Sequence, residues 1–141
     1  MGEKKTVLLV DDDLDMIEAN RLALEHEGFI VITAESGKDG FALAIQNPID
    51  VAVIDVMMET PTSGFMLARK LRQDPRTKQI RLLMLTSVNT ANEAIGSFVR
   101  FSDASRDPQW LPVDRFLDKP VKPKDLVSMV RSLAGAWTFT H

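Results

Sequence analysis

The stretch Val51-Ala52-Val53-Ile54-Asp55 decides the fold, because it joins an unbroken apolar run to a single terminal carboxylate. A block of Val, Ile and Ala is typical of a strand that is covered on both faces, as in the core of a parallel sheet. In open parallel sheets, the chemistry lies just beyond the carboxyl ends of the strands. Asp55 is therefore a candidate functional residue.

Other apolar runs in the chain also end in polar side chains, so their ends are expected at the same edge of the sheet as Asp55. These runs, each with the polar residues that follow it, are Lys4–Val10 with Asp11-Asp12-Asp13, Ile80–Leu85 with Thr86-Ser87, and Val113–Leu117 with Asp118-Lys119. Phe29–Ala34 supplies a fifth strand. Helical segments alternate with the strands, and the pattern predicts one doubly wound α/β sandwich of (βα)5 type with a parallel five-stranded sheet.

The helical segments carry recognisable start and stop signals. Acidic residues at Asp13 and Asp15 favour a helix start, and Gly28 is a suitable stop. Capping boxes open helices at Ser36 and near Ala91, and Pro123 suits the first turn of the last helix. The apolar positions expected on these helices are Leu14, Ile17 and Leu24; Phe41, Ala42 and Ile45; Phe65, Ala68 and Leu71; and Leu126, Val127, Val130, Leu133 and Ala134.

Composition excludes several classes of function. The chain has 141 residues, which fits one domain, and its 45% hydrophobic and 26% charged content argues against disorder. No apolar run reaches the roughly 20 residues that cross a bilayer. A net charge of −3 gives no footprint for nucleic acid, and the absence of cysteine excludes disulfides and thiolate metal sites. We expect a cytoplasmic protein with no membrane contact.

The polar residues at the predicted edge suit phosphoryl chemistry. Carboxylates from Asp11, Asp12 and Asp55 would repel one another by several kcal/mol per pair at about 4–5 Å, unless a divalent cation neutralises them. Ligands that are all oxygen favour Mg²⁺. Thr86 could donate a hydrogen bond to one phosphoryl oxygen, and Lys119 could pair with another. Each residue alone is more often a turn former or a surface residue, so the argument depends on the whole set.

The set resembles the response-regulator receiver domain of two-component signalling, over about residues 4–134. The matching segments are Val7-Leu8-Leu9-Val10-Asp11-Asp12, Val53-Ile54-Asp55-Val56-Met57-Met58, Met84-Leu85-Thr86-Ser87 and Phe116-Leu117-Asp118-Lys119-Pro120. The resemblance implies a flavodoxin-like strand order of 2-1-3-4-5. It also implies a phosphoprotein that receives its phosphoryl group from a sensor histidine kinase or a phosphotransfer protein and catalyses only its own phosphorylation and dephosphorylation, without being an enzyme that turns over a substrate.

The resemblance also assigns roles to single residues at the acidic end of the site. Asp55 would be the phosphoacceptor and a metal ligand. Asp12 would bind Mg²⁺ directly, Asp11 mainly through water, and Met57 through its backbone carbonyl. Apolar side chains at Met57 and Val88 flank the site, and we predict that they slow hydrolysis of the phosphorylated form.

On the other side of the site, the resemblance makes Thr86 and Lys119 the sensors of the phosphoryl group. Phe116 would be the switch aromatic that moves as the Thr86 hydroxyl is drawn toward the phosphate. A plain core aromatic is the alternative for Phe116. Phosphorylation would change a face that binds an output protein whose identity the sequence does not give.

The sequence departs from the family pattern in three places. The loop from Met58 to Gly64 is one residue longer than usual and its proline is displaced. An insertion of about ten residues falls at about 96–112. Only a short tail, 135–141, follows the last helix, so we expect a stand-alone receiver. Trp137 and Phe139 in that tail pack on their own domain or anchor a partner or a homodimer.

Two other functions fit parts of the pattern. A haloacid-dehalogenase-like phosphatase would use Asp11 as nucleophile and Asp13 as acid/base, with Thr86 or Ser87 and Lys119 as its later motifs. That assignment lacks a further acidic pair and leaves Asp55 without a role. A receiver fold used only as an unphosphorylated binding module is the second alternative, and the intact acid, hydroxyl and lysine set argues against it.

Overall fold

The computed structural model describes residues 4–56, 63–86 and 113–135, and these residues form a parallel sheet between two helical layers. The spatial order of the strands is 2-1-3-4-5, which confirms the expected flavodoxin-like topology. Each neighbouring pair is parallel. The strands are β1 (Thr6–Val10), β2 (Ile30–Ala34), β3 (Val51–Asp55), β4 (Arg81–Thr86) and β5 (Arg115–Asp118).

Four helices lie in the described ranges, and each agrees with a predicted helix. They are α1 (Leu14–His26), α2 (Gly37–Gln46), α3 (Ser63–Gln73) and α4 (Pro123–Gly135). The helix predicted near Ala91, the insertion at 96–112 and residues 136–141 of the tail fall outside the described residues. Within residues 4–56, 63–86 and 113–135, no helix is long and apolar enough to cross a membrane.

The sheet separates two apolar cores, because successive side chains of a strand point to opposite faces. One core lies under α2 and α3, and the other lies under α1 and α4. Strand β3 is buried along its whole length, as its apolar run predicted. The α2/α3 core includes Leu8, Val10, Ala52, Ile54, Phe65, Leu71, Leu82 and Met84, and the α1/α4 core includes Val7, Leu9, Leu24, Val53, Leu83, Leu85, Leu126 and Val130.

The apolar positions named on α3 and α4 are buried, whereas one of those named on α1 and one of those named on α2 are exposed. Leu14 is 58% exposed, whereas Ile17, Asn20 and Leu24 are buried. Leu14 is the first residue of α1, at the carboxyl edge of the sheet, so no strand lies beneath it. Ala42 is likewise exposed, and it borders the same surface groove as Leu14.

Local signals position the helix ends close to the site. Asp13 is the N-cap of α1, because its carboxylate accepts hydrogen bonds from the amides of Asp15 and Met16 at 3.0 and 3.3 Å. Ser36 caps α2 by accepting from the Asp39 amide at 3.1 Å. Gly28 follows α1 with φ of +96°, a conformation that favours glycine. Strands β4 and β5 end one residue later than predicted.

Candidate functional site

Three carboxylates meet at the carboxyl edge of the sheet, where the sequence predicted them. Asp11 and Asp12 follow β1, and Asp55 is the last residue of β3. One oxygen from each carboxylate can be chosen so that all three lie within 4.8 Å of one another. Asp11 and Asp55 are buried, whereas Asp12 is exposed. The cluster therefore consists of two buried carboxylates and one carboxylate that is exposed to solvent.

The buried carboxylate of Asp11 is electrostatically strained. Its Oδ1 atom accepts a hydrogen bond from the Asp13 amide at 2.9 Å, but within the described ranges its buried Oδ2 has no hydrogen-bond partner. Burial raises the pKa of Asp11 to about 6, and the nearby Asp55 carboxylate adds to the rise. The Asp13 amide and the Lys119 ammonium oppose it. The ionised form of Asp11 is therefore only partly compensated at neutral pH.

The ammonium group of Lys119 reaches the acidic cluster from the other side. Its Nζ atom donates to Oδ2 of Asp55 at 2.9 Å. The Lys119 side chain is 27% exposed and the Asp55 side chain is 7% exposed, so the pair is only partly screened by water. Lys119 follows β5 directly, and its amide donates to the Thr86 carbonyl at 2.5 Å. This backbone contact joins the lysine to the end of β4.

Thr86 and Phe116 lie on the α2/α3 side of the sheet. Thr86 is 1% exposed, and its hydroxyl donates to Oδ1 of Asp118 at 3.1 Å. Phe116 is half-buried and packs against the α2/α3 core. Its ring centroid lies 6.4 Å from that of Phe65, with the planes at 48°. The structure therefore brings Thr86 to the same edge as Asp55 and places Phe116 two residues earlier in β5 than Asp118.

The chain returns from the loop after β3 to α3 by passing very close to β3. Gly64 donates its amide hydrogen to the Val56 carbonyl at 3.1 Å. A Cβ atom on Gly64 would lie 2.4 Å from the backbone oxygen of Asp55 and 2.7 Å from Cα of Val56. Glycine is therefore required by space at this position. Met57 and Val88, which the sequence assigned to the rim of the site, fall outside the described residues.

The carboxylates fit a hard divalent cation. The cluster offers oxygen ligands only, which suits Mg²⁺ better than softer metals. The unpartnered Oδ2 of Asp11 and the proximity of Asp55 leave buried negative charge that a cation would neutralise. The exposed Asp12 leaves one carboxylate of the cluster in contact with water.

Sequence reasoning missed two features of the site. It gave no role to Asp118, although this residue binds the Thr86 hydroxyl. The register that pairs these two residues could not be read from the sequence, because the interval from Thr86 to Lys119 is unusual in length. It also treated Gly64 as a loop marker, and the close approach to β3 became visible only in the structure.

A flavodoxin-like sheet that carries three carboxylates, a hydroxyl and a lysine at its carboxyl edge defines the receiver class of α/β signalling domains. Residues 7–104 match the family described as the response regulator receiver domain, and the chain belongs to that family. The match ends inside the predicted insertion. The strand and the helix that follow the matched range, β5 and α4, complete the same fold.

Individual relatives agree with this family. The chain is 30% identical over 131 residues to the phosphate regulon transcriptional regulatory protein PhoB of Pseudomonas aeruginosa. This match covers 92% of this chain and 51% of PhoB. It is 32% identical over 127 residues to the DNA-binding dual master transcriptional regulator RpaA of Synechocystis. That match covers 90% of this chain and 48% of RpaA. The chain thus spans about half the length of these relatives. Among solved structures, chemotaxis protein CheY4 of Vibrio cholerae is similar with a TM-score of 0.75 and 26% identity, covering 93% of this chain and 99% of CheY4.

Proposed function

We propose that this protein is a Mg²⁺-dependent phosphoryl switch in which Asp55 accepts a phosphoryl group from a phosphohistidine. The observation that carries the proposal is the contact of 2.9 Å between the Lys119 ammonium and the Asp55 carboxylate, beside the carboxylates of Asp11 and Asp12. A nucleophile, a fixed cation and a ligand set for a divalent metal are the parts that phosphoryl transfer requires. The donor would be a sensor histidine kinase or a phosphotransfer protein.

In the transfer, an Asp55 carboxylate oxygen forms a bond to phosphorus while the bond between phosphorus and the imidazole nitrogen breaks. The electron pair of the broken bond stays on the leaving imidazole, and Asp55 becomes an acyl phosphate. Lys119 holds Asp55 in place and then pairs with a phosphoryl oxygen. When bound, Mg²⁺ would supply positive charge that offsets the negative charge of the carboxylates and of the phosphoryl group. Asp12 would hold it directly, Asp11 through water and Asp55 through its second oxygen, with the Met57 carbonyl as a further ligand.

Phosphorylation adds about two negative charges and three acceptor oxygens at Asp55. Thr86 and Phe116 would respond to them, because both lie on the α2/α3 side of the sheet next to the site. The population would shift toward a form with a different surface around β5 and α4. That surface would bind an output protein or a second copy of the chain. We place this activity in the cytoplasm, with no direct contact to nucleic acid.

The two alternative functions are less well supported. The phosphatase assignment needs Asp13 as acid/base, but the Asp13 carboxylate caps α1. It also gives no role to Asp55, which lies in the cluster. The alternative of an unphosphorylated binding module gives no functional role to the contact between Lys119 and Asp55. A turnover assay on a generic phosphate ester separates the phosphatase from the receiver, because a receiver does not turn over.

The proposal is tested by intact-mass spectrometry after incubation with Mg²⁺ and acetyl phosphate. We expect one phosphoryl adduct on the wild-type chain, no adduct in EDTA and none on Asp55→Asn. Asp15→Asn is the matched control, since it makes the same chemical change at an exposed residue outside the cluster, and it should keep the adduct. An adduct that persists in Asp55→Asn would contradict the assignment of the phosphoacceptor. A folded wild-type chain that forms no adduct with acetyl phosphate or with a phosphohistidine donor would contradict the switch itself.

A further inference from the structure

The last residues of β4 and β5, Thr86 and Asp118, form a cross-strand pair. The register of the two strands places Thr86 opposite Asp118, so both side chains lie on the same face of the sheet. The Thr86 hydroxyl donates to Oδ1 of Asp118 at 3.1 Å. A carboxylate can only accept, so the direction of this hydrogen bond is fixed. Thr86 is buried and Asp118 is exposed, which leaves Asp118 free to be changed without opening a core.

The ion pair of Asp55 and Lys119 involves positions one residue away from this cross-strand pair along the strands. In the register of β3 with β4, Asp55 pairs with Leu85, the residue before Thr86. Lys119 is the residue after Asp118. Because side chains alternate along a strand, Asp55 projects toward the α1/α4 side of the sheet, whereas Thr86 and Asp118 project toward the α2/α3 side. The Thr86 hydroxyl is therefore bound to Asp118 on the face of the sheet opposite to the one from which Asp55 projects.

One hydroxyl carries one proton, and two acceptors compete for it. A threonine hydroxyl has a single donor hydrogen, so Thr86 cannot donate to Asp118 and to a phosphoryl group on Asp55 at the same time. The bond to Asp118 is assisted by charge, which makes it stronger than a bond between neutral groups. Any arrangement in which Thr86 serves the phosphoryl group must first break this bond.

We propose that Asp118 is a positioning residue that holds the Thr86 hydroxyl in the unphosphorylated arrangement and so sets how readily the switch responds. The inference rests on the proposed function, because it takes the phosphoryl group on Asp55 as the competing acceptor. Removal of the Asp118 carboxylate frees the hydroxyl and shifts the population toward the responsive form before any phosphoryl group arrives. The unphosphorylated state of this chain is thus stabilised by a side chain next to the lysine.

The test is the apparent affinity for a phosphoryl mimic, beryllium fluoride with Mg²⁺, followed by NMR titration of each variant. We expect Asp118→Ala to lower the apparent Kd roughly threefold to tenfold, since a partly exposed hydrogen bond to a charged group is lost from the free state. Asp118→Asn keeps a neutral acceptor and should give an intermediate value. Asp125→Ala removes an exposed carboxylate from the first turn of α4 and should leave the apparent Kd unchanged.

A double-mutant cycle separates the hydrogen bond from the charge of Asp118. In a Thr86→Val background the hydroxyl is absent, so Asp118→Ala should change the apparent Kd less than twofold. A purely structural role of Asp118 would not depend on Thr86 in this way. An equal apparent Kd for wild type and Asp118→Ala would overturn the inference, as would an undiminished effect in the Thr86→Val background. If no variant, including the wild type, binds the mimic or accepts a phosphoryl group, the proposed function fails and the inference fails with it.

Discussion

Replacing Asp11 by Asn should make the metal-free protein more stable at neutral pH. Asn keeps an oxygen that accepts from the Asp13 amide, which now donates to Asp11 Oδ1 at 2.9 Å. It removes the buried charge on Oδ2, which has no hydrogen-bond partner in the described part of the chain. It also removes a like charge beside Asp55. The substitution thus relieves an electrostatic cost and leaves the capping of the turn intact.

The pKa of Asp11 gives the size of this effect. A rise from 3.8 to about 6 corresponds to ~3 kcal/mol of stability lost when the carboxyl is forced to ionise in the folded state. Because the altered side chain repacks imperfectly, we expect a gain of about 1–3 kcal/mol in the free energy of unfolding, or roughly 3–9 °C in Tm.

The pH dependence follows from the same shift. Below about pH 4 the carboxyl is protonated in the folded and the unfolded chain, and the substitution has no electrostatic effect. Between about pH 4 and 6 the unfolded chain ionises while the folded chain keeps its proton, so wild-type stability falls as pH rises. Above about pH 6 Asp11 is ionised in the folded chain as well, and the full free-energy cost of that buried charge is present. The stabilisation by Asn should therefore grow from pH 4 to 6 and stay level at higher pH.

Urea unfolding in EDTA at pH 4, 5, 6 and 7.5 measures this profile. Asp12→Asn is the matched comparison: it neutralises the neighbouring carboxylate, whose charge is exposed to water and screened, so its gain at pH 7.5 should be smaller than that of Asp11→Asn. Added Mg²⁺ should stabilise the wild type and have much less effect on Asp11→Asn. A neutral or destabilising effect of Asp11→Asn at pH 7.5 without metal would refute the argument that the charge of Asp11 is only partly compensated. An equal gain at pH 4 and 7.5 would refute it as well.

Three further predictions concern the scaffold, and urea unfolding measures each. Gly64→Ala should destabilise by more than about 2 kcal/mol, because its Cβ would meet backbone atoms at 2.4–2.8 Å; Gly37→Ala, with its nearest contact at 3.7 Å, should be neutral or stabilising. Ser36→Ala should cost about 1 kcal/mol through loss of the cap on α2, and Ser36→Asp should recover it. Asp114→Ala should cost about 2 kcal/mol, because the buried Leu82 amide loses its acceptor at 2.8 Å, whereas Asp114→Asn keeps one.

Sequence patterns were sufficient for the sheet and for the acidic edge, for identifiable physical reasons. The run before Asp55 could only be a strand buried on both faces, and the polar residues after β1, β3 and β5 had to meet at one edge. The exposure of Leu14 could not be predicted, because periodicity shows which residues share a helix face but not where the sheet beneath that face ends. The pairing of Thr86 with Asp118 was beyond reach, because a register between strands depends on the segment that joins them.

The two apolar cores lie on opposite faces of the sheet, so substitutions in one core act on different site residues from substitutions in the other. Under the proposed function, substitutions in the α1/α4 core would act on the face from which Asp55 projects, whereas substitutions in the α2/α3 core would act on the face of Thr86 and Phe116. The rate at which Asp55 is phosphorylated and the response to the phosphoryl group would then depend on different layers of the protein.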